Sequence, residues 1–338
     1  MRGPTRRQLL GAAVGTAGVA AAATLVARQT QLFASPAIAH IGYLGSDSRP
    51  GQERYAALVD GLRELGYVEG RTIAIERQQS QDPSGAVFPG MAAELLRRGV
   101  TVIVTSSTPA LVAAAQATQT VPIVTAGPHR DLQDLGLVDN LARPGRNVTG
   151  LLPHPGLDTK GVELLAQTIP GLEQVGYLFN PATSGVLAQV GRARKGAEEL
   201  GVEFLELPAR VPDDIDAQFE AATMAGVGGL IVSTDFLFGD PSGWRVVPLA
   251  LRFRLPTIYK QTDGYVDQGG LMAYTSDYKA FHRRAATFVD KLLHGANAAD
   301  LPVEQTTTFD FVINLKTAEA MNLTIPRNVL VQATQLLQ

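Results

Sequence analysis

Polar side chains follow two apolar runs of the sequence, at points where buried strands are expected to end. Ser107 and Thr108 follow one run, and Thr234 and Asp235 follow the other. The hydroxyl-rich turn leads into an expected helix, whose first backbone N–H groups suit a carboxylate or another anion. Alternatively, Ser107 or Thr108 caps that helix, and capping is compatible with ligand contact. In the second turn, the Asp235 carboxylate could hold an ammonium group.

These turns belong to a larger set of expected ligand contacts. His129 joins the set because it follows another expected strand end, although a histidine paired within its own loop is the alternative. No catalytic residue, metal ligand or cofactor is expected. The complete set of expected ligand-binding residues is Ser46, Asp47, Ser107, Thr108, His129, Asn180, Thr234, Asp235, Gln261 and Tyr274.

The elements that position these residues occur twice in the chain. The tripeptide Gly-Tyr-Leu begins at 42 and at 176, the helix end Glu-Leu-Gly at 64 and at 199, and a strand led by proline at 122 and at 256. The near-constant offset predicts a duplicated α/β unit, and hence two similar Rossmann-like lobes whose strands point their carboxyl ends into one cleft. A single large doubly wound sheet is the alternative.

The chain is expected to cross between the two lobes three times. Lobe 1 is predicted at residues 40–150 and lobe 2 at 151–271, with the Gly-, Pro- and Arg-rich segment 142–150 as the first crossing. An expected strand at 269–274 would lead back to lobe 1, to which residues 272–305 would belong, and residues 306–338 would return to lobe 2. Three crossings would form a hinge about which the lobes rotate.

The first 39 residues predict an export signal. Arg2, Arg6 and Arg7 precede a stretch rich in alanine and glycine, and residues 37–39 (Ala-Ile-Ala) are typical of a cleavage site. The Arg6 and Arg7 pair resembles a twin-arginine signal, so the chain is expected in the periplasm. An uncleaved membrane anchor is the alternative, because the stretch reaches the lower end of spanning length.

The composition of the chain excludes several kinds of site and partner. A chain of 338 residues with 45% hydrophobic content is long enough for two cores, and the absence of cysteine excludes disulfides, thiolate metal sites and cysteine nucleophiles. The net charge is −3, and the first 39 residues carry four arginines and no acidic residue, so the remainder carries about −7. An acidic chain without a basic stripe is a poor nucleic-acid binder, and none is expected as a partner.

The sequence gives little support to catalysis. No two of the five histidines have zinc-ligand spacing, and His282 and His294 are expected to be solvated on a surface helix. No nucleophile elbow or phosphate loop occurs. Asp235 and Asp263 could form a carboxylate pair for glycoside cleavage, although a ligand contact for Asp235 and a turn or hinge role for Asp263 are preferred.

Four segments carry a resemblance to a known family: residues 312–326, 65–70, 147–150 and 180–181. They are similar to segments of the ABC-transporter substrate-binding proteins whose characterised members include carriers of tryptophan and tyrosine. The resemblance covers nearly all of the chain after the signal and implies a type I periplasmic binding protein fold. Asn322 stands where the family usually has glycine. Residues 126–131 depart from the pattern of many family members. Residues 236–244 resemble a large subset of the family whose ligands are mostly unassigned, so the identity of the ligand stays open.

The resemblance implies a periplasmic solute-binding protein of an ABC importer, which would bind a small amino-acid-like or other amphipathic ligand between its lobes. Its partners would be an ABC permease and the ATPase of that permease, and the chain would be a monomer without a cofactor. A periplasmic sensory ligand-binding protein and a two-lobed α/β hydrolase or transferase are the alternatives. Hydroxyls in one turn and a carboxylate in the other predict a ligand with unlike ends.

Overall fold

The computed structural model describes residues 38–80, 85–127, 132–154, 156–183, 185–239, 245–261, 264–305 and 308–338. The predictions for His129 and Asp263, and for nearly all of the export signal, lie outside these residues. In chain order the elements are β1 (Ala39–Ser46), α1 (Arg49–Glu64), β2 (Ile73–Ser80), α2 (Phe88–Arg97), β3 (Val102–Thr105), α3 (Thr108–Ala117), β4 (Ile123–Ala126), β5 (Val148–Leu152), α4 (Leu157–Thr168), β6 (Gln174–Phe179), α5 (Val186–Leu200), β7 (Glu203–Pro208), α6 (Pro212–Met224), β8 (Gly229–Val232), α7 (Phe236–Gly239), α8 (Val246–Arg252), β9 (Thr257–Tyr259), β10 (Met272–Ser276), α9 (Tyr278–Leu293), β11 (Glu304–Gln305), β12 (Phe309–Asn314), α10 (Leu315–Ala320), α11 (Arg327–Leu330) and β13 (Gln335–Leu337).

The first lobe is built on a parallel sheet with strand order β11-β5-β4-β3-β1-β2. Both faces of the sheet are covered. Ile41 and Val104 pack with Phe281 of α9 on one face, and Leu44 packs with Leu111 of α3 on the other. Burial on both faces explains why these strands are near-continuous apolar runs in the sequence.

The second lobe is built on a sheet with strand order β13-β12-β10-β9-β8-β6-β7. Only the β10–β12 pair among these described strands is antiparallel, and the other pairs are parallel. One core holds Tyr177 of β6, Ile231 of β8 and Leu165 of α4. The two sheets with interleaved helices have the architecture that the repeat predicts. None of the helices in the described ranges is long and apolar enough to span a membrane.

Two of the expected boundaries are wrong. The strand expected to return to lobe 1 is β10, which pairs with β9 and β12 in the second sheet, so the returning segment begins near Asp277. The segment expected as the first crossing contains β5, a fully buried strand of the first sheet, so the chain leaves that sheet only after Leu152. β5 and β10 each continue the parallel order of the sheet that the chain is already in, so each crossing comes after the strand.

Two later crossings lie side by side. Asp277 joins β10 to α9, and Thr308 precedes β12. The Asp277 N–H donates to the Thr308 carbonyl at 3.3 Å, and the Asp277 side chain caps α9 by accepting from Ala280 N–H at 2.8 Å. The antiparallel β10–β12 pair follows from this arrangement, because one strand leaves the second lobe where the other enters it.

The repeated glycines have steric reasons to be glycine. A Cβ on Gly42 of β1 would lie 3.0 Å from a Leu95 methyl carbon, and a Cβ on Gly176 of β6 would lie 2.8 Å from a Leu207 methyl carbon. Both positions therefore allow a neighbouring side chain to pack directly on the strand.

His282 is buried completely, and the expectation of a solvated surface histidine is wrong for this residue. Its Nδ1 lies 2.8 Å from the Tyr278 carbonyl oxygen, and its Nε2 lies 3.5 Å from the Tyr43 hydroxyl. Helix α9 packs between α1 and the first sheet, so one of its faces is apolar and closed to water. Burial lowers the pKa of His282 to about 3, against the hydrogen bond to Tyr278, which raises it.

This burial predicts a pH dependence of stability. The ordinary pKa of histidine is 6.5, so at lower pH the unfolded chain binds a proton at His282 that the folded chain does not. The His282 contribution to the free energy of unfolding should therefore fall as the pH decreases from about 6.5 towards about 3, by up to about 1.4 kcal/mol per pH unit. His282→Gln should remove this part of the slope in urea unfolding measured at several pH values.

His294 provides the control, because it follows the same helix and its side chain is 73% exposed. His294→Gln should keep the slope of the parent protein. Equal slopes for the parent and His282→Gln would contradict the neutral, buried state of His282.

Candidate functional site

The carboxyl edge of the first sheet brings Ser46 and Ser107 to neighbouring strand ends. Leu44 of β1 pairs with Thr105 of β3, and the Ser46 N–H donates to the Ser106 hydroxyl at 3.4 Å. Ser107 caps α3 by accepting from Ala110 N–H at 3.4 Å, so the capping alternative holds for this residue. Thr108, the first residue of α3, is nearly buried.

The turn after β1 is held by its own polar groups. The Ser46 hydroxyl donates to the Ser48 hydroxyl at 3.0 Å and accepts from Ser48 N–H at 3.2 Å. The Asp47 carboxylate accepts from the Gln52 side-chain amide, and Ser48 caps α1 by accepting from Gly51 N–H. Ser46 and Asp47 are therefore fixed in position before any ligand is present.

A directional chain of hydrogen bonds anchors this turn to α9. A carbonyl oxygen only accepts, so His282 donates from Nδ1 to Tyr278 and accepts at Nε2 from the Tyr43 hydroxyl. The Ser106 side chain bonds to the Tyr43 hydroxyl and also accepts from Ser46 N–H. Burial raises the pKa of Tyr43, so the phenol stays protonated as the chain requires. Helix α9, which begins at a crossing, thus positions a turn of the candidate site.

Asp235 organises the carboxyl edge of the second sheet. Its Oδ1 accepts from the Asn180 amide at 3.3 Å and from Leu237 N–H at 2.8 Å, and its Oδ2 accepts from the Thr183 hydroxyl. The expected residues Asn180 and Asp235 are therefore brought together. The carboxylate ties the turn after β6 to the turn after β8, and three internal donors already occupy its oxygens.

A buried group of charges lies next to this turn. The Thr234 hydroxyl donates to the Lys260 carbonyl at 3.0 Å. The Lys260 ammonium contacts Asp158 Oδ1, and Arg192 Nε donates to Asp158 Oδ2 at 2.8 Å. The side chains of Lys260 and Asp158 are 12% and 5% exposed, and burial lowers the pKa of the Lys260 ammonium from its ordinary value. The paired Asp158 carboxylate opposes that effect.

Sequence reasoning missed Asp158, Thr183, Arg192 and Lys260. A signal was present for Lys260, because it directly follows an apolar strand led by proline, at the place where other candidates were sought. Asp158 and Arg192 lie on different helices, α4 and α5, and nothing in their spacing indicates that they pair with each other.

The two other expected residues of the second lobe differ in their surroundings. Gln261 follows Lys260 at the end of β9 and is half-buried. Tyr274 of β10 stacks on Phe309 with ring centroids 5.5 Å apart and meets Phe311 edge-on. It lines a cavity of about 280 Å³ with Lys160 and other residues, so the structure groups it with the aromatic side chains of β12. Within the described ranges, no three His, Asp or Glu side chains converge as a metal-ligand set.

A comparison with protein families gives one match. The model of the family described as ABC transporter substrate binding protein matches residues 41–337. The matched segment contains both sheets and every expected site residue. A search of curated protein sequences finds no match.

Solved structures with the same architecture include three bacterial proteins. The ABC domain in complex with L-Trp from Streptococcus pneumonia has a TM-score of 0.79 and 28% identity, over 89% of this chain and 100% of that chain. A conserved domain protein from Vibrio cholerae has a TM-score of 0.79 and 25% identity, over 88% and 99%. A ligand-free, open substrate binding protein with adhesive properties from Clostridium difficile has a TM-score of 0.72 and 23% identity, over 89% and 100%. The predicted type I periplasmic binding protein fold is confirmed.

The contacts of Asp235 predict a structural effect of its removal. Asp235→Ala leaves three donors without their acceptor, and the free energy of unfolding should fall by about 1–3 kcal/mol. Asp213→Ala is the control, because the Asp213 side chain is 95% exposed, and its effect should stay within about 0.5 kcal/mol. Urea unfolding measures both variants, and an equal effect in the two would contradict the organising role of Asp235.

The Asp158 contacts predict strong coupling with Lys260. Asp158→Asn leaves the Lys260 ammonium buried without its counter-ion and should lower the free energy of unfolding by about 3 kcal/mol. The double variant with Lys260→Met should recover part of this loss, which gives a coupling of about 1 kcal/mol or more in a double-mutant cycle. The same cycle on the exposed Lys195 and Glu199 pair should give about 0.5 kcal/mol or less. Additive effects of Asp158→Asn and Lys260→Met would refute the pairing.

Proposed function

Because the chain belongs to the ABC transporter substrate-binding protein family, as its match over residues 41–337 shows, we propose that it is the periplasmic solute-binding component of an ABC importer. Proteins of this family are solute-binding proteins and in general not enzymes, and they are generally extracytoplasmic. The chain would reach the periplasm by the twin-arginine route, act as a monomer without catalysis or nucleic acid, and deliver its ligand to a permease and the ATPase of that permease.

The observation that carries this proposal is the pair of preorganised polar turns, one at the carboxyl edge of each sheet, within a chain that the family model covers almost completely. Ser107 and Thr108 stand at the start of α3 in the first lobe, and Asn180, Thr234 and Asp235 lie in the second. In α/β sheets, ligands bind outside the carboxyl ends of the strands. The ligand would therefore bind between the two edges.

The mechanism is closure of the lobes on a ligand that both edges contact. The crossings at Asp277 and Thr308 are short and bonded to each other, whereas the cores of the two lobes are separate. Rotation about the crossings would leave both cores intact. A ligand favours the closed state only through contacts that are better in that state, so polar groups from both lobes are needed. Ser46, Asp47, His129 and Gln261 complete the proposed site.

The ligand would be small and amino-acid-like or otherwise amphipathic. The Streptococcus pneumonia structure, at 28% identity, is in complex with L-Trp, which supports the amino acid class for this chain. Tyr274 also belongs to the proposed site, with its ring packed on Phe309 and Phe311.

A ligand screen tests the function. Amino acids, aromatic acids and small amides should be added to the purified protein, and a true ligand should raise the melting temperature saturably and reduce the radius of gyration in X-ray scattering. Thr108→Val should weaken binding of that ligand about tenfold, because a hydrogen bond to a charged group is lost. Thr223→Val, on α6, is the matched control and should bind as the parent does.

Two results would contradict the proposal. A saturable ligand that is converted to product would indicate an enzyme. A ligand that binds without compaction, and equally well to Thr108→Val and to the parent, would place the site outside the inter-lobe edges.

A further inference from the structure

Ser233 and Lys260 lie side by side on the face of the second sheet that α4 covers. The Lys260 N–H donates to the Val232 carbonyl at 3.1 Å, which places Lys260 beside Ser233 at the sheet edge. Two residues before them, Ile231 and Ile258 lie close to Gly161 of α4. Side chains alternate along a strand, so Ser233 and Lys260 face α4 as well.

Ser276 lies on the same face but further along: the β9–β10 register brings Tyr274 level with Lys260, and Ser276 follows two residues later. It ends β10, the neighbour of β9 in the sheet. Met272, four residues earlier, contacts the Thr168 hydroxyl of α4 through its sulfur, so Ser276 also faces α4. We call Ser233, Lys260 and Ser276 the row: Ser233 and Lys260 lie level with each other, and Ser276 lies two residues further along its strand at the carboxyl edge.

The two hydroxyls of this row are buried without partners. Ser233 is 2% exposed and Ser276 is 1% exposed. Neither Oγ atom has a hydrogen-bond partner among the residues that the structure describes. Buried polar groups are nearly always hydrogen-bonded, so an unpaired pair beside an ammonium indicates a place where a bound group completes the bonding.

Among the residues that the structure describes, the charged groups around the row are paired with one another and leave one donor of Lys260 over. Asp158 accepts from Lys260 and Arg192, and Asp235 accepts from three internal donors. Lys260 has three N–H donors, of which one bonds to Asp158 and another reaches Gln189 at 3.5 Å. Two cations therefore share the carboxylate of Asp158, and one N–H donor of Lys260 remains for a further acceptor.

The start of α4 adds a second attraction for an anion. This helix of 12 residues has Gly156 at its N-cap and no side-chain capping bond. The Leu157 N–H donates to the His154 carbonyl, and the N–H groups after it, together with the helix dipole, favour negative charge at this end, where Asp158 already lies.

We propose that Lys260, Ser233 and Ser276 bind a carboxylate of the ligand, and that Lys260 selects for it. This inference rests on the proposed function and reverses the polarity expected from the sequence, in which Asp235 would hold an ammonium group on the second lobe. The ligand turns its acid end to the second lobe. Asp235 acts on the ligand indirectly, by positioning the turn that carries Ser233.

Small fragments of opposite charge test the proposal on the full chain. Melting temperatures should be measured with sodium propionate, propylammonium chloride and sodium chloride at equal ionic strength. Propionate should raise the melting temperature saturably above the sodium chloride control, and propylammonium should not. Lys260→Met should abolish the difference, and Lys195→Met, at an exposed lysine of α5, should retain it.

Ser233→Ala keeps the proposal testable if Lys260→Met does not fold. The Ser233 hydroxyl has no partner among the described residues, so its removal should leave the unliganded protein as stable as the parent. It should weaken propionate binding about threefold to tenfold. Unchanged propionate binding in both Ser233→Ala and Lys260→Met would overturn the proposal, as would a saturable shift with propylammonium alone.

The result also separates this inference from the proposed function. A ligand from the screen that compacts the protein but carries no acid group would leave the solute-binding role standing and overturn the carboxylate assignment. Compaction by an acid whose affinity falls about tenfold or more in Lys260→Met would support both.

Discussion

Parallel strand pairing is the constraint on which the site depends. In the first sheet every described pair is parallel, and in the second sheet β6, β7, β8, β9 and β10 run in one direction. All the turns that leave these strands therefore gather at one edge of each sheet. A strand of opposite direction within either series would move its turn to the far edge, and Ser46 could not meet Ser106, nor Thr234 meet Lys260.

Gathering polar turns at one edge has a cost, because groups such as Asp158 and Lys260 lose water. The protein offsets this cost by pairing the groups with one another. Asp158 takes two cations, Asp235 takes three neutral donors, and Tyr43 joins His282 to Ser106. Each turn is thereby fixed before a ligand arrives, so less conformational entropy remains to be lost on binding.

The sequence was informative where a local pattern decides the structure. Repeated glycines, apolar runs and hydroxyls after them predicted both sheets and the places of Ser107, Asn180 and Asp235. It was uninformative where partners are distant in the chain: Lys260 meets residues from α4 and α5 only after folding. The apolar spacing of α9 indicates a helix with one buried face, but the burial of His282 depends on α1 and the first sheet covering that face.

The crossing at Asp277 connects the polar groups of the two lobes. Helix α9 begins immediately after Asp277, and its residue His282 holds Tyr43 and, through Ser106, the turn at Ser46. The strand that precedes Asp277 ends in Ser276, which faces the same side of the second sheet as Lys260. Asp277 therefore connects two parts of the site directly. Ser276 of the second lobe precedes it, and α9, which anchors the Ser46 turn of the first lobe, follows it. The rotation that we propose at Asp277 would change the distance between these two sets of groups while each set keeps its own geometry, which is the condition for both lobes to contact one ligand at once.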